Sequence, residues 1–317
     1  MFRGTDVRTV VDHPARRESS GREMPRGGRA GGGGRARART PEDARDALTR
    51  QLDLPRGAER ERVEVGARTY SLRGSEVKLL ATVGAFRVVD ARDAAQGGSH
   101  DRWHGDLEHL REQGLIALTP HVLDGQRTAL VTLTRSGQAL LERHRHPAEN
   151  EAPQEYYAGL VKPREASHDA QLARLYVDAA DRLQKQGVRV NRVSLDYELK
   201  RDYQRFLHAN TRDRHDKSGR PTRGQDEIRE WAASHGLPIV RDRVQFPDVR
   251  IEYEHPDGRR DREDIELATG HYNSRQMAAK RASGFRMQRS VASRLGSGKS
   301  RRGGSPFDPH VAERVLA

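Results

Sequence analysis

Asp248 and Glu266 fall where a β-hairpin would set them face to face, and a carboxylate pair held that close is suited to binding a divalent cation. The segment Phe246 to Glu254 alternates charged and apolar residues after Pro247 and runs into His255-Pro256-Asp257-Gly258-Arg259. Period-two alternation ending in a turn signal predicts a strand and hairpin. Pro256 and Asp257 suit the central positions of a type I turn, and Gly258 suits the left-handed residue after them. The loop then has three residues, and His255 faces Arg259. Counting outward pairs Glu254 with Arg260, Glu252 with Arg262, Arg250 with Asp264, and Asp248 with Glu266. Facing opposite charges stabilise, and facing like charges destabilise, by about 0.2–1 kcal/mol each. A slip of one residue would set Glu252 against Glu263 and Glu254 against Asp261, so the three-residue loop is preferred.

Within that register Asp248 and Glu266 are the only like-charged pair, and two carboxylates that close resist ionising together without a cation between them. Oxygen ligands suit Mg²⁺ or Mn²⁺, the ions that activate water and stabilise phosphoryl oxygens in nucleases. The competing reading is a solvated hairpin of mixed charge whose ends fray before the carboxylates meet.

The elements that must position this pair can be read along the chain. Residues 1 to 60 read as a disordered Arg/Gly-rich arm and linker, with a short strand signal from Val63 to Tyr70. Ser75 can cap a helix carrying Leu79, Leu80 and Val83, Asp90 a short second helix, and Ser99 a third whose Trp103, Leu107 and Leu110 recur at helical spacing until Gly114. Leu115 to Leu118 and Thr128 to Leu133 make a hairpin, and Ser136 opens another helix. A linker covers 147 to 166. His168 to Gln186 is an amphipathic helix, and a strand from Val188 runs on through Tyr197. A polar insertion, Asn210 to Gly224, precedes a helix from Gln225 to Ser234. After the hairpin, Thr269 and Asn273 flank a last helix through Met277, Lys280 and Phe285.

The net charge is +12, and its placement says more than its size. Residues 1 to 40 carry ten Arg and four acids, residues 281 to 304 carry seven basic residues and no acid, and residues 305 to 317 carry one Arg and two acids, so the stretch from 41 to 280 is neutral. Basic, Gly-rich ends attract phosphate backbones through counterion release, which makes nucleic acid the expected partner. The absence of cysteine excludes disulfides, thiol catalysis and Cys-ligated zinc, and it fits a reducing cytoplasm. Serine-hydrolase and zincin motifs are also lacking, and Gly296-Ser297-Gly298-Lys299-Ser300 lacks the earlier glycine of a phosphate-binding loop. No apolar run approaches a membrane span, so no membrane partner is expected.

Three helices, a two-stranded wing and a following helix over 61 to 146 resemble a winged helix-turn-helix domain. That resemblance implies that Ser99, His100, Arg102 and His104 at the start of the third helix, with Arg127 on the wing, contact DNA. Helix, strand, acid-bearing hairpin and helix over 167 to 290 are similar to the PD-(D/E)XK, restriction-endonuclease-like α/β fold. Pro247-Asp248 and Glu266 match its acidic motif, but Ala268 stands where the motif has lysine, and Lys280 or Arg275 on the next helix would have to supply that cation. Inactive, binding-only descendants of the fold also lack this lysine. The chain reads as α+β and α/β with basic disordered termini, including a tail over 291 to 317. From about 75 to 290, the winged helix, the His168-Asp169 helix start, the Phe246-Pro247-Asp248 and Ile265-Glu266-Leu267 strands and the helix bearing Lys280 resemble the replication-relaxation family of bacterial plasmids and mobile elements. That resemblance implies work on DNA in plasmid replication or mobilisation and names no reaction; the endonuclease-like resemblance implies Asp248, Glu266 and Lys280 as catalytic residues, Asp248 and Glu266 as metal ligands, and Mg²⁺ or Mn²⁺ as cofactor. The alternative is a non-enzymatic winged-helix DNA-binding regulator, dimeric through its first domain.

Overall fold

Residues 43–94, 100–123, 125–149, 151–159, 165–209, 223–268 and 274–289 are described in the computed structural model. The arm over 1 to 40 and the tail over 291 to 317 lie outside them. Residues 43 to 60, expected within the arm and linker, are folded. Ala44–Thr49 forms a 3₁₀ turn, and Ala44, Leu48, Leu52 and Leu54 are buried, the four-residue spacing of the first three being enough to dock one apolar edge on the core. The expected strand from 63 to 70 is a hairpin of β1 (Glu61–Val65) and β2 (Arg68–Leu72), because Gly66 adopts φ 59° at its turn.

Helix α1 (Gly74–Phe86) begins one residue before Ser75, since Glu76 turns back to accept the Arg73 N–H at 2.9 Å. Then come β3 (Val89–Asp90), α2 (Ala91–Ala94), α3 (His100–Glu112), β4 (Ile116–Leu123), β5 (Gln126–Leu133) and α4 (Arg135–Arg143). Asp90 caps α2 by accepting the Arg92 N–H at 2.9 Å, as its place in the sequence predicts. Ser99, the expected cap of α3, lies outside the described residues. Helix α4, expected to open at Ser136, starts at Arg135 and is capped by Thr134, whose hydroxyl accepts the Gly137 N–H at 3.1 Å. The strands form an antiparallel sheet in the order β3-β5-β4.

The second half runs α5 (Ala166–Lys185), β6 (Arg189–Leu195), α6 (Asp196–His208), α7 (Gln225–Ser234), β7 (Ile239–Val240), β8 (Arg243–Val244), β9 (Val249–Glu254), β10 (Arg260–Ala268), α8 (Ser274–Ala282) and β11 (Arg286–Arg289). Its sheet has the order β11-β10-β9-β6, with β6, β9 and β10 antiparallel and β11 returning parallel to β10 after α8. The strand expected through Tyr197 stops at Leu195. Asp196 and Glu198 occupy the first turn of α6, where carboxylates meet the positive end of the helix, and Tyr197 is 43% exposed. Phe285, expected on the last helix, follows it: Gly284 at φ 77° ends the helical course, and Phe285 is buried ahead of β11.

The hairpin register is the one its charges demand. Glu254 pairs with Arg260, Glu252 with Arg262 and Arg250 with Asp264; Gly258 adopts φ 83°, and the His255 N–H donates to Arg259 O at 2.9 Å. Val249, Ile251, Ile265 and Leu267 alternate onto the face that packs with Leu172, Tyr176 and Leu183 of α5. These side chains belong to the same buried cluster as Leu80, Phe86, Leu107 and Leu140 of the first half.

Residues 151–159, part of the expected linker, form a strap between the halves. Tyr156 is buried and donates its hydroxyl to Leu48 O at 2.7 Å. The buried Gln154 amide meets both main-chain groups of Val193 on the outer strand β6, donating to its carbonyl at 2.9 Å and accepting its N–H at 3.0 Å.

Candidate active site

Antiparallel pairing of β9 with β10 extends to Val249 opposite Ile265, and one further step brings Asp248 beside Glu266. Asp248 Oδ2 accepts the Leu267 N–H at 2.8 Å, which fixes its carboxylate over β10. Glu266 is fully buried. A carboxylate there requires a cation, and Lys280 supplies it from α8. Its Nζ stands 2.9 Å from both carboxylate oxygens of Glu266 and donates to Phe246 O at 2.6 Å. Of the two cations considered for the missing motif lysine, Lys280 is therefore the one at the acids. Arg275 is exposed near the start of α8.

Asp248 also has a protein cation. His168, near the start of α5, places Nε2 3.4 Å from Asp248 Oδ2 and Nδ1 3.2 Å from Asp169 Oδ1. Burial by itself would lower the His168 pKa, but hydrogen bonds and charge from Asp169 and Asp248 outweigh it and raise it to about 10. The imidazole is a charged double donor at neutral pH. Lys200 on α6 pairs with Asp196; burial opposes its charge, but Asp196, Asp248 and Glu266 together raise its pKa. His168 and Lys280 thus meet the two acids directly, and Lys200 adds positive charge from α6.

The first half reaches this site at two points. His121 Nε2 on β4 lies 3.0 Å from Ser167 Oγ, and Arg87 at the end of α1 lies 3.6 Å from Asp169. Arg87 holds φ 66° and ψ −47°, and the Val88 N–H donates to Phe86 O at 2.7 Å across it. That is a γ-turn of the rarer, strained hand. The guanidinium it carries inward also lies over the Tyr197 ring at 5.2 Å.

The repulsion expected between two facing carboxylates is met here by protein cations, and among the described residues no three His, Asp or Glu side chains converge as a metal-binding group. Four of the five residues expected to read DNA lie on α3 and β5. Ser99 lies outside the described residues, and His100 and Arg102 fall in the first turn of α3. The His104 ring packs edge-on against Trp103 at 4.6 Å, and Trp103 is buried. Arg127 is exposed on β5 opposite Val122, itself 59% exposed. Sequence reasoning quoted His168 and Asp169 only as a helix start and missed Lys200 and Arg87. Nothing in their local pattern distinguishes them from other surface cations.

In comparison with known proteins, no family model, no curated protein and no solved structure matches this chain.

Proposed function

We propose that this is a DNA-binding protein of a mobile element in which Asp248, Glu266 and Lys280 form a metal-dependent centre for phosphodiester hydrolysis. The observation that carries the reading is Lys280 Nζ at 2.9 Å from Glu266, a lysine delivered by α8 to the acid pair where Ala268 leaves the motif position empty of charge. The order helix, three antiparallel strands, crossover helix and parallel strand, made by α5, β6, β9, β10, α8 and β11, supports an endonuclease-like fold. The β3-β5-β4 sheet with α1, α2 and α3 supports a winged helix.

Two carboxylates are a sparse set, and Mg²⁺ accepts such a set because it keeps several of its waters. Asp248 and Glu266 would hold the ion. When bound, it would activate water and offset charge on the phosphoryl oxygens. Lys280 pairs with Glu266 and carries an N–H donor beside the two acids. His168, with a pKa near 10, is no base at neutral pH; it holds a proton on Nε2 next to Asp248 and orients that carboxylate.

A second reading, a binding-only relic of a nuclease, is favoured by the cation already present at each acid. Incubating the full chain and an Asp248→Asn, Glu266→Gln variant with supercoiled plasmid and Mn²⁺ decides between them. Nicking by the wild type alone supports the centre. Plasmid binding without nicking, and no Mn²⁺-dependent rise in Tm, would leave the relic.

A further inference from the structure

Helices α6 and α7 bury few residues of their own: among the described residues, Glu198 in α6 and Ala232 in α7. Rings do much of the remaining packing. Phe206 stacks on Trp231 at 5.5 Å and 21°, and Trp231 stacks on His235 at 4.0 Å and 20°. Tyr203 joins Trp231 to Phe246 at 5.0 and 5.6 Å, and the Phe246 carbonyl is the one that accepts from Lys280. One end of the stack is closed by the Arg223 guanidinium, 4.8 Å above Phe206. The other end, His235, is exposed and lines a cavity of about 730 Å³.

That volume falls in the range of about 300–1,000 Å³ spanned by small-ligand pockets. The strands contribute Arg192, Arg250, Arg260 and Arg262 to its lining. Most of its carboxylates already have arginine partners: Glu198 meets Arg192 at 2.6 Å, Asp202 meets Arg205 at 3.1 Å, and Asp261 meets Arg259 at 3.2 Å. Arg262 differs. It is exposed and makes no ion pair among the described residues, although Glu252 faces it in the register. Its guanidinium lies against Gly236, the neighbour of His235, where a Cβ would stand 2.0–2.1 Å from its Cζ and both Nη atoms. The glycine, at φ 56° where the chain leaves α7, holds open the space for this planar cation.

An unpaired nucleotide needs a ring face for its base and a cation for its phosphate, and the exposed end of the stack with Arg262 beside it offers both. A duplex keeps its base faces covered. We propose that this cleft binds an unpaired nucleotide of single-stranded DNA and that, through Phe246, it lies next to the Asp248–Glu266 centre. The inference rests on the nucleic-acid reading of the chain but not on its cleavage chemistry.

The test uses the full chain in EDTA. The chain has two tryptophans, Trp103 and Trp231, so Trp103→Phe leaves Trp231 as the single emitter. Titration with an oligothymidylate should quench Trp231 saturably, and an equal-length duplex should quench it far less. His235→Ala and Arg262→Ala, both at exposed positions, should each weaken oligothymidylate binding about tenfold. Should Trp103→Phe lose its fold, anisotropy of a labelled oligonucleotide with the wild type and these two variants carries the same comparison. Binding without quenching, equal affinity in both variants, or equal quenching by the duplex overturns the inference. Tighter binding of oligouridylate than of oligothymidylate overturns the choice of DNA. A plasmid that binds but is never nicked overturns only the hydrolytic centre.

Discussion

Lys280 on α8 holds its ammonium 2.9 Å from the carboxylate of Glu266 on β10, fourteen residues earlier in the chain. Glu266 is fully buried, and the Lys280 side chain is 18% exposed. Removing one partner of such a pair leaves an uncompensated charge, which costs several kcal/mol, whereas removing both charges together is often close to neutral. Lys280→Met should therefore lower unfolding stability by about 3 kcal/mol, the low end of that range, because the lysine keeps some solvent contact. Adding Glu266→Gln should restore most of the loss. Urea midpoints of the two variants check this, and equal midpoints would show that the pair is not a stability determinant.

His168 supplies a pH dependence whose sign follows from its geometry. Its pKa rises from the ordinary 6.5 to about 10 in the folded chain, so the charged form is favoured by folding. The stabilisation is fully present below about pH 6.5 and is lost as pH rises toward 10. In His168→Gln this part of the decline between those values should vanish. The measurement is the difference between wild-type and variant urea midpoints across pH 6 to 10; parallel curves refute the assignment.

Arg87 combines a strained backbone with a side chain that reaches Asp169, and two substitutions separate these roles. Both Arg87→Ala and Arg87→Gly lose the guanidinium. Only glycine takes φ 66° without a steric penalty, so Arg87→Gly should be more stable than Arg87→Ala by about 1 kcal/mol. Thermal unfolding of the two, side by side, gives the answer. If alanine is the more stable, the turn relaxes when the side chain is gone.

Arg127 is exposed on β5 and makes no ion pair among the described residues. If the wing touches phosphate, Arg127→Ala should weaken binding similarly for all DNA sequences and reduce the log–log salt slope by about 1. Filter binding over a salt series reads both quantities, and an unchanged slope would mean that this edge of the wing does not contact DNA.

The hairpin was legible in the sequence because three opposite-charge pairs discriminate one register from its neighbours. Glu254–Arg260, Glu252–Arg262 and Arg250–Asp264 all appear in the structure. Helix α6 was hidden because Val193-Ser194-Leu195-Asp196-Tyr197 prolongs a strand-like alternation, and only the tertiary environment ends it. Strand β11 was hidden because Arg286-Met287-Gln288-Arg289 has one apolar residue and no alternation. Lys280 and Arg275 were equal candidates in the sequence, although five helical positions separate them by about 140° around the axis. Which side of α8 faces Glu266 depends on packing, and that choice brought in Lys280. His168 and Lys200 joined the acids from helices remote in sequence, a convergence no local pattern encodes.

The Gln154 amide on Val193 has a consequence for modularity. It finishes the outer margin of the four-stranded sheet from a segment that precedes α5 and is itself anchored to the first half. A fragment beginning after the strap would leave the donor and acceptor of Val193 bare, and bare margins recruit extended segments of other chains. The amino-terminal half is then no detachable module carried beside an autonomous body. Shuffling the halves as separate cassettes, in evolution or at the bench, would trade a finished surface for one prone to aggregate.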